Sequence, residues 1–199
     1  MKVDAAIETL LGVVRAAEPL GSRLLPDGTR LIGAIPHVGP DAWLHALFSG
    51  LESSESSELE KSLGGPLPGE LRQFYRRFNG LSLFNDALSI FGLRKKLGRT
   101  GNAAWQPYSI LTPNGPERPP DAPLGVPFIG GYGWDGSLVC VVPPDNRVVR
   151  CFKTSAKPLS QWANLGEFLS HEAVRLAALF DDKGRKIRPS SPTIPPPSP

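Results

Sequence analysis

With 199 residues, of which 40% are hydrophobic, the chain can bury one sizeable core, and it carries no uninterrupted apolar stretch long enough to span a membrane. The net charge of +3 is too small to make the sequence pI of 9.0 an argument for nucleic acid, and removing Lys183, Arg185, Lys186 and Arg188 alone brings it to about neutral. Two cysteines exclude a disulfide framework, and the Asp4 and Glu8 carboxylates within the first apolar run argue for an amphipathic helix over a signal peptide, so a cytoplasmic protein is expected.

Val3, Ile7, Leu10, Leu11 and Val14 recur at helical spacing, which predicts a first helix over residues 3–17 ended by Pro19 and Gly21. Residues 29–35 form a short β-branched and apolar segment stopped by Pro36, a candidate strand. Asp41 is placed to cap a second helix holding Trp43, Leu44, Leu47, Phe48 and Leu51. Residues 52–60 are polar throughout and read as a frayed helix or solvated loop.

The stretch LPGELRQFYRRFNGLSLF, residues 67–84, organises the rest. Pro68 suits a first helical position, and Glu70 places negative charge in the first turn. Leu71, Phe74, Tyr75 and Phe78 fall on one apolar stripe, while Arg72, Gln73, Arg76 and Arg77 occupy the opposite face. Asn79 and Gly80 tolerate the left-handed conformation that ends a helix.

Beyond that stop the periodicity changes to that of a sheet. Residues 87–93, 105–111 and 126–130 read as strands, with a Pro-rich connection over 112–123. Residues 137–142 and 147–152 flank Pro143-Pro144-Asp145-Asn146 and form an antiparallel hairpin. If Val142 faces Arg147, then Cys140 faces Val149 and Cys151 faces Leu138; the thiols are diagonal neighbours about 7 to 8 Å apart and are expected to stay reduced. Asn164 caps a last helix running to Phe180, and Gly184 opens a Pro/Ser-rich tail. The expected architecture is a single α+β domain with N-terminal helices, a mainly antiparallel sheet and a closing C-terminal helix. Its divisions are an N-terminal helix and extended lead-in over 1–37, the domain proper over 38–182, and a disordered basic tail over 183–199.

The chemistry-bearing motifs are sparse. Gly131-Tyr-Gly133-Trp-Asp-Gly136 is a literal G-x-G-x-x-G, but a dinucleotide loop must deliver its phosphates to a helix N-terminus, and a strand follows Gly136. A kinase-type loop lacks its accompanying lysine and H-R-D and D-F-G partners. His37, His45 and His171 are scattered, no metal-ligand spacing occurs, and Cys140 lies among valines where desolvation makes a thiol inert. No catalytic residue, cofactor site or metal site is therefore expected.

Residues 67–84, the apolar strand soon after, and PFIGGYGWDG at 127–136 running into a hairpin and a final helix resemble the SUKH superfamily, of the Smi/Knr type. The resemblance covers roughly residues 43–180, with Pro68, Asn79, Gly80, Gly130, Asp135 and Gly136 as its most telling positions. It implies an α+β domain without enzymatic activity, found widely as bacterial immunity proteins that bind and neutralise polymorphic toxins, many of them nucleases, and in eukaryotes as regulatory interaction modules. The chain lacks the acidic balance expected of a nucleic-acid mimic.

Two functions follow. The first is a protein-binding module whose partner is a cognate toxin, with Tyr132, Trp134, Asp135, Arg72 and Arg76 at the interface; large amphipathic rings in a glycine-rich loop are of the kind enriched at binding hot spots. A Trp134 folded back as a lid over the sheet is the competing account of that loop. The second is a regulatory or nucleic-acid-associated surface built on Arg72, Arg76, Arg77, Arg94, Lys95, Lys96 and Arg99, which lacks interleaved stacking aromatics. Neither function involves a membrane, and the sequence leaves the oligomeric state open.

Overall fold

The computed structural model describes residues 2–95, 98 and 100–197, and the structural statements below concern these. Helix α1 (Val3–Arg15) leads into strands β1 (Ser22–Leu24), β2 (Arg30–Ala34) and β3 (Trp43–Ser49). Helices α2 (Ser53–Ser62) and α3 (Gly69–Arg77) follow, then β4 (Phe78–Leu83), β5 (Leu88–Ile90), the short α4 (Leu111–Asn114), β6 (Phe128–Gly131), β7 (Leu138–Val142), β8 (Arg147–Phe152), β9 (Ser155–Trp162) and α5 (Leu165–Ala177). The strands form one sheet in the order of the chain, every neighbouring pair antiparallel, so the fold is an α+β meander with α1, α3 and α5 gathered on one face. Among the described residues, no helix is long and apolar enough to cross a membrane.

The apolar stripe of α1 packs on α5 and α3, and Leu10, Val14, Phe74, Tyr75, Phe168 and Leu176 are buried with the inner sheet residues Ile32, Leu83, Leu88, Ile129, Val139 and Val148 in one core. The outer face carries two smaller apolar patches: Leu25, Leu31, Ala46 and Phe48 at one end, and Val126, Phe128, Leu138, Cys140, Val149 and Cys151 at the other. The hairpin register is the one expected, with Val142 facing Arg147, Cys140 facing Val149 and Leu138 facing Cys151, and both thiols are free. A hydrogen bond with Cys151, then burial, push the Cys140 thiol up.

Several elements differ from the sequence expectation. Residues 43–49 are a strand, not a helix. Leu44 to Phe48 are all buried because both faces of β3 are covered, and a doubly covered strand shows a continuous apolar run that imitates helical spacing. Residues 105–111 form no strand; they cross the outer face as irregular chain, touching the sheet through one bridge between Gly92 and Ser109. The polar run after Leu51 is a regular helix, α2, closed by reciprocal hydrogen bonds between Glu52 and Glu55.

Helix α3 ends earlier than expected, at Arg77, and Phe78 is already extended. Asn79 and Gly80 belong to β4. The Asn79 amide donates to the Leu93 carbonyl at 2.7 Å and accepts from the Leu93 N–H at 2.7 Å, clamping the strand to the chain beyond β5. Gly80 has φ +86, and a side chain there would stand 2.5 Å from the Ile90 carbonyl oxygen.

Residues 183–197, expected to be disordered, lie along the body. Gly184 packs against Ile35 and Leu44, and the Ile187 N–H donates to the Leu179 carbonyl at 2.9 Å. Further on, the carbonyls of Thr193, Pro195 and Pro196 accept from Arg175, Arg150 and Ser160. The Pro-rich composition that argued for disorder also leaves backbone carbonyls free of competing ladder bonds, and buried donors use them. Truncation before Gly184 is expected to lower the thermal midpoint by more than about 4 °C, since it removes acceptors from two guanidinium groups. An unchanged midpoint by differential scanning calorimetry would show that the segment adds nothing to the body.

His45, on β3, is 1% exposed and packs edge-on against Phe84. The Phe84 N–H donates to Nδ1 at 3.5 Å, which leaves the ring proton on Nε2, where no acceptor meets it among the described residues. Burial lowers its pKa from 6.5 to about 3. Above pH 6.5 the imidazole is neutral in folded and unfolded chains alike; below it the unfolded chain takes up the proton first, so stability is lost progressively between about pH 6.5 and 3. Urea unfolding should give a stability lower by about 2 kcal/mol at pH 5 than at pH 7, and His45→Leu should flatten that slope.

Candidate interaction surface

The expected interface residues stand at two separate places. Tyr132, Trp134 and Asp135 lie in the hairpin turn between β6 and β7, closed by the Tyr132 N–H donating to the Ser137 carbonyl at 2.9 Å and the Gly136 N–H to the Tyr132 carbonyl at 3.0 Å. The glycines serve this turn: a side chain at Gly133 would stand 2.5 Å from the Asp86 carbonyl oxygen, which the Gly133 N–H itself approaches at 3.2 Å. The G-x-G-x-x-G run is thus a hairpin turn between two antiparallel strands, with no helix N-terminus behind it.

Within the turn the three side chains have different surroundings. Tyr132, expected at the interface, is in fact 2% exposed and points inward. Its hydroxyl donates to Glu172 Oε2 at 2.8 Å; burial, and then the Glu172 carboxylate, push its pKa well above the ordinary phenol range, so it remains a donor. Glu172 also accepts from Arg175 Nε at 2.9 Å.

Asp135 is pinned from two sides. Its Oδ2 accepts from the Arg150 guanidinium at 2.7 Å, and its Oδ1 accepts the Ser137 N–H at 3.0 Å. Burial opposes the Asp135 charge, but the hydrogen bonds from Ser137 and Arg150 outweigh it and hold the carboxyl below its ordinary range. Arg150 is almost wholly buried, and Ser137 Oγ, the Pro195 carbonyl and the face of the Tyr132 ring complete its shell.

Like part of Asp135, Trp134 reaches solvent. It is 47% exposed, and the Lys186 ammonium sits 4.1 Å from its ring centroid, so the ring is neither a lid over the core nor a free aromatic, but one covered on one side by the C-terminal segment.

Arg72 and Arg76 stand on α3. Arg72 is committed to Glu60, with Nη2 to Oε1 at 2.8 Å, and to the Leu67 carbonyl. Arg77 pairs with Glu8 and Lys95 with Glu55, whereas Arg76 is exposed and makes no ion pair among the described residues. Three of the basic residues singled out from the sequence are therefore answered by carboxylates from α1 and α2, a pairing across elements that no local pattern shows. Lys96 and Arg99 lie outside the described residues.

Beside the turn, on the outer face, is a hollow of about 360 Å³ whose lining includes Asp86, Phe91, Tyr108, Leu138 and Lys153. Sequence reasoning placed none of these residues at a site, because they come from β7 and from connections far apart in the chain.

The architecture and the chain from α2 to α5 meet a known family at this point. The SMI1 / KNR4 family (SUKH-1) matches residues 50–171, more than half of the chain. The chain belongs to the SUKH family. Within the SUKH match lie α2, α3, strands β4 to β9 and most of α5, whereas α1, β1, β2, β3 and the C-terminal segment stand outside it. No curated protein matches the chain.

Asp135 and Trp134 should respond differently to substitution. Asp135→Ala leaves the buried Arg150 without its carboxylate and is expected to cost about 3 kcal/mol, or roughly 6 to 12 °C of thermal midpoint. Trp134→Ala, which removes a half-exposed ring, should shift it by less than about 3 °C. Equal losses in the two variants would show that the turn depends on the Trp134 ring as much as on the ion pair.

Proposed function

We propose that this chain is a non-enzymatic protein-binding domain of the immunity type, which works in the cytoplasm by binding and neutralising a protein toxin. Its membership of the SUKH family carries this reading. The turn at 132–136 supports it: Asp135 and Tyr132 anchor the backbone from below through Arg150 and Glu172, and that rigid base presents the Trp134 ring outward. An aromatic group held on a preorganised turn gives contact area at small entropic cost. Arg76, uncommitted on α3, is a second contact point at a separate place. The alternative, a regulatory or nucleic-acid-associated basic surface, is disfavoured by the pairing of Arg72, Arg77 and Lys95 with carboxylates.

The test is co-expression with the product of the neighbouring gene. Protection of the host and co-purification of the two chains are the expected result, with Trp134→Ala weakening the complex by roughly 30-fold or more, the equivalent of about 2 kcal/mol. Absence of protection and of a complex, together with binding to random duplex DNA that falls steeply with salt, would favour the alternative.

A further inference from the structure

Across the middle of the outer face, Ser82, Ser89 and Gly131 are direct cross-strand neighbours on β4, β5 and β6. Their small side chains leave the sheet low between its two apolar patches, and the hollow beside the 132–136 turn opens there. Phe91 and Tyr108, with ring centroids 6.1 Å apart, line it with Pro113 and Leu138.

Asp86 reaches this hollow from the β4–β5 hairpin, where Phe84, Asn85 and Asp86 have φ of 52°, 53° and 62°. Three successive non-glycine residues in the left-handed region are costly, on the order of 1 kcal/mol or more each. The Asn85 N–H, donating to the Leu44 carbonyl at 2.8 Å, and the Asp86 carbonyl, accepting from Gly133, hold the turn there. The Asp86 carboxylate accepts three hydroxyls: Ser82 Oγ at 2.6 Å and Ser89 Oγ at 3.2 Å on Oδ1, and Tyr108 OH at 3.2 Å on Oδ2.

None of these bonds requires a negative charge. An asparagine at this position would accept the two serine hydroxyls through its own Oδ1 and tolerates the left-handed conformation better than most residues. Yet the charge is there, and no cation answers it: Asp86 makes no ion pair among the described residues. Lys153, also on the hollow, is paired with Glu117 at 3.3 Å, so those two charges offset each other. Arg94 lines an adjoining hollow together with Asp86 and Tyr108 but forms no ion pair with Asp86 among the described residues. The hollow thus combines one uncompensated carboxylate, a tyrosine ring that is 57% exposed, and apolar walls.

We propose that this hollow receives an arginine side chain of a partner protein, its guanidinium between the Asp86 carboxylate and the Tyr108 ring and its methylene stem along Phe91 and Leu138. A planar cation with an apolar stem matches each component of the lining, and a guanidinium, more weakly hydrated than an ammonium, stacks on an aromatic face while donating to a carboxylate. The assignment rests on the protein-binding reading above and names the chemistry of the partner.

The experiment uses the full chain labelled with ¹⁵N and the capped peptide Ac-Gly-Arg-Gly-NH₂. Saturable amide shifts at Asp86, Ser89, Gly131 and Gly133 are expected, with affinity at least about ten-fold weaker for the neutral citrulline peptide and for Asp86→Asn, the loss of a charge-assisted hydrogen bond. Equal binding of the citrulline peptide to the unsubstituted chain, or no saturable shift with the arginine peptide, overturns the assignment whether or not Asp86→Asn folds. Free arginine binding more tightly than the capped peptide overturns it too, by making the hollow a small-molecule site. A chain that binds the arginine peptide but fails to protect against the neighbouring-gene product keeps this assignment and loses the immunity reading.

Discussion

A guanidinium that is almost wholly buried must find acceptors or destabilise the fold around it, and Arg150 is such a group. It sits on β8 on the helix side of the sheet, and the elements that satisfy it come from three directions: Asp135 and Ser137 from the β6–β7 turn, the Pro195 carbonyl from the C-terminal segment, and the Tyr132 ring beneath. The same Tyr132 donates to Glu172 on α5, and Glu172 pairs with Arg175, which donates in turn to the Thr193 carbonyl at 2.6 Å. The turn, the sheet, the last helix and the tail are therefore joined through one polar chain. Because each member serves two neighbours, loss of any one leaves a buried donor or acceptor unpaired, and the turn that presents Trp134 is rigid for that reason.

The other fixed point is the junction between α3 and β4. The helix passes into the strand without a loop, so its buried face must match the inner face of the sheet at once. Tyr75 locks the match: its ring is fully buried, and its hydroxyl donates to the Phe91 carbonyl at 2.9 Å, the residue at which the chain leaves β5. Asn79 then fastens Leu93 two residues later. These contacts hold β4 and β5 in place, and with them the strained hairpin that carries Asp86. The inner face is thus closed by helices, whereas the outer face is crossed by the irregular chain around Tyr108, which leaves the hollow beside it at the small-residue row.

Local signals sufficed wherever an element carried its own pattern. The stripes of α1 and α3, the Asn164 cap whose side chain accepts the Glu167 N–H at 2.8 Å, and the β7–β8 hairpin with its register all follow from spacing and turn chemistry, which act over a few residues. The segregated α+β class followed from the order of those elements, and the 132–136 turn stood out because glycines and aromatic residues alternate there.

The rest was decided in three dimensions. Residues 43–49 carry helical spacing, yet coverage on both faces makes them a strand, and β9 is a largely polar sequence containing Pro158 that becomes a strand only because β8 offers it an edge. Tyr132 and Trp134 are two residues apart in one turn; the position of Glu172 on α5 turns the first inward, and Lys186 meets the second outside. The tail is low in apolar residues and reads as free chain, but Arg150 and Arg175 need carbonyls that no sequence window connects to them. In the same way Asp86 has an ordinary loop context, and its uncompensated charge emerges only when Ser82, Ser89 and Tyr108 converge on it. Periodicity and caps record what a segment does alone, whereas the pairing of buried charges depends on partners up to 45 residues away, as between Arg150 and Pro195, and only the folded chain brings them together.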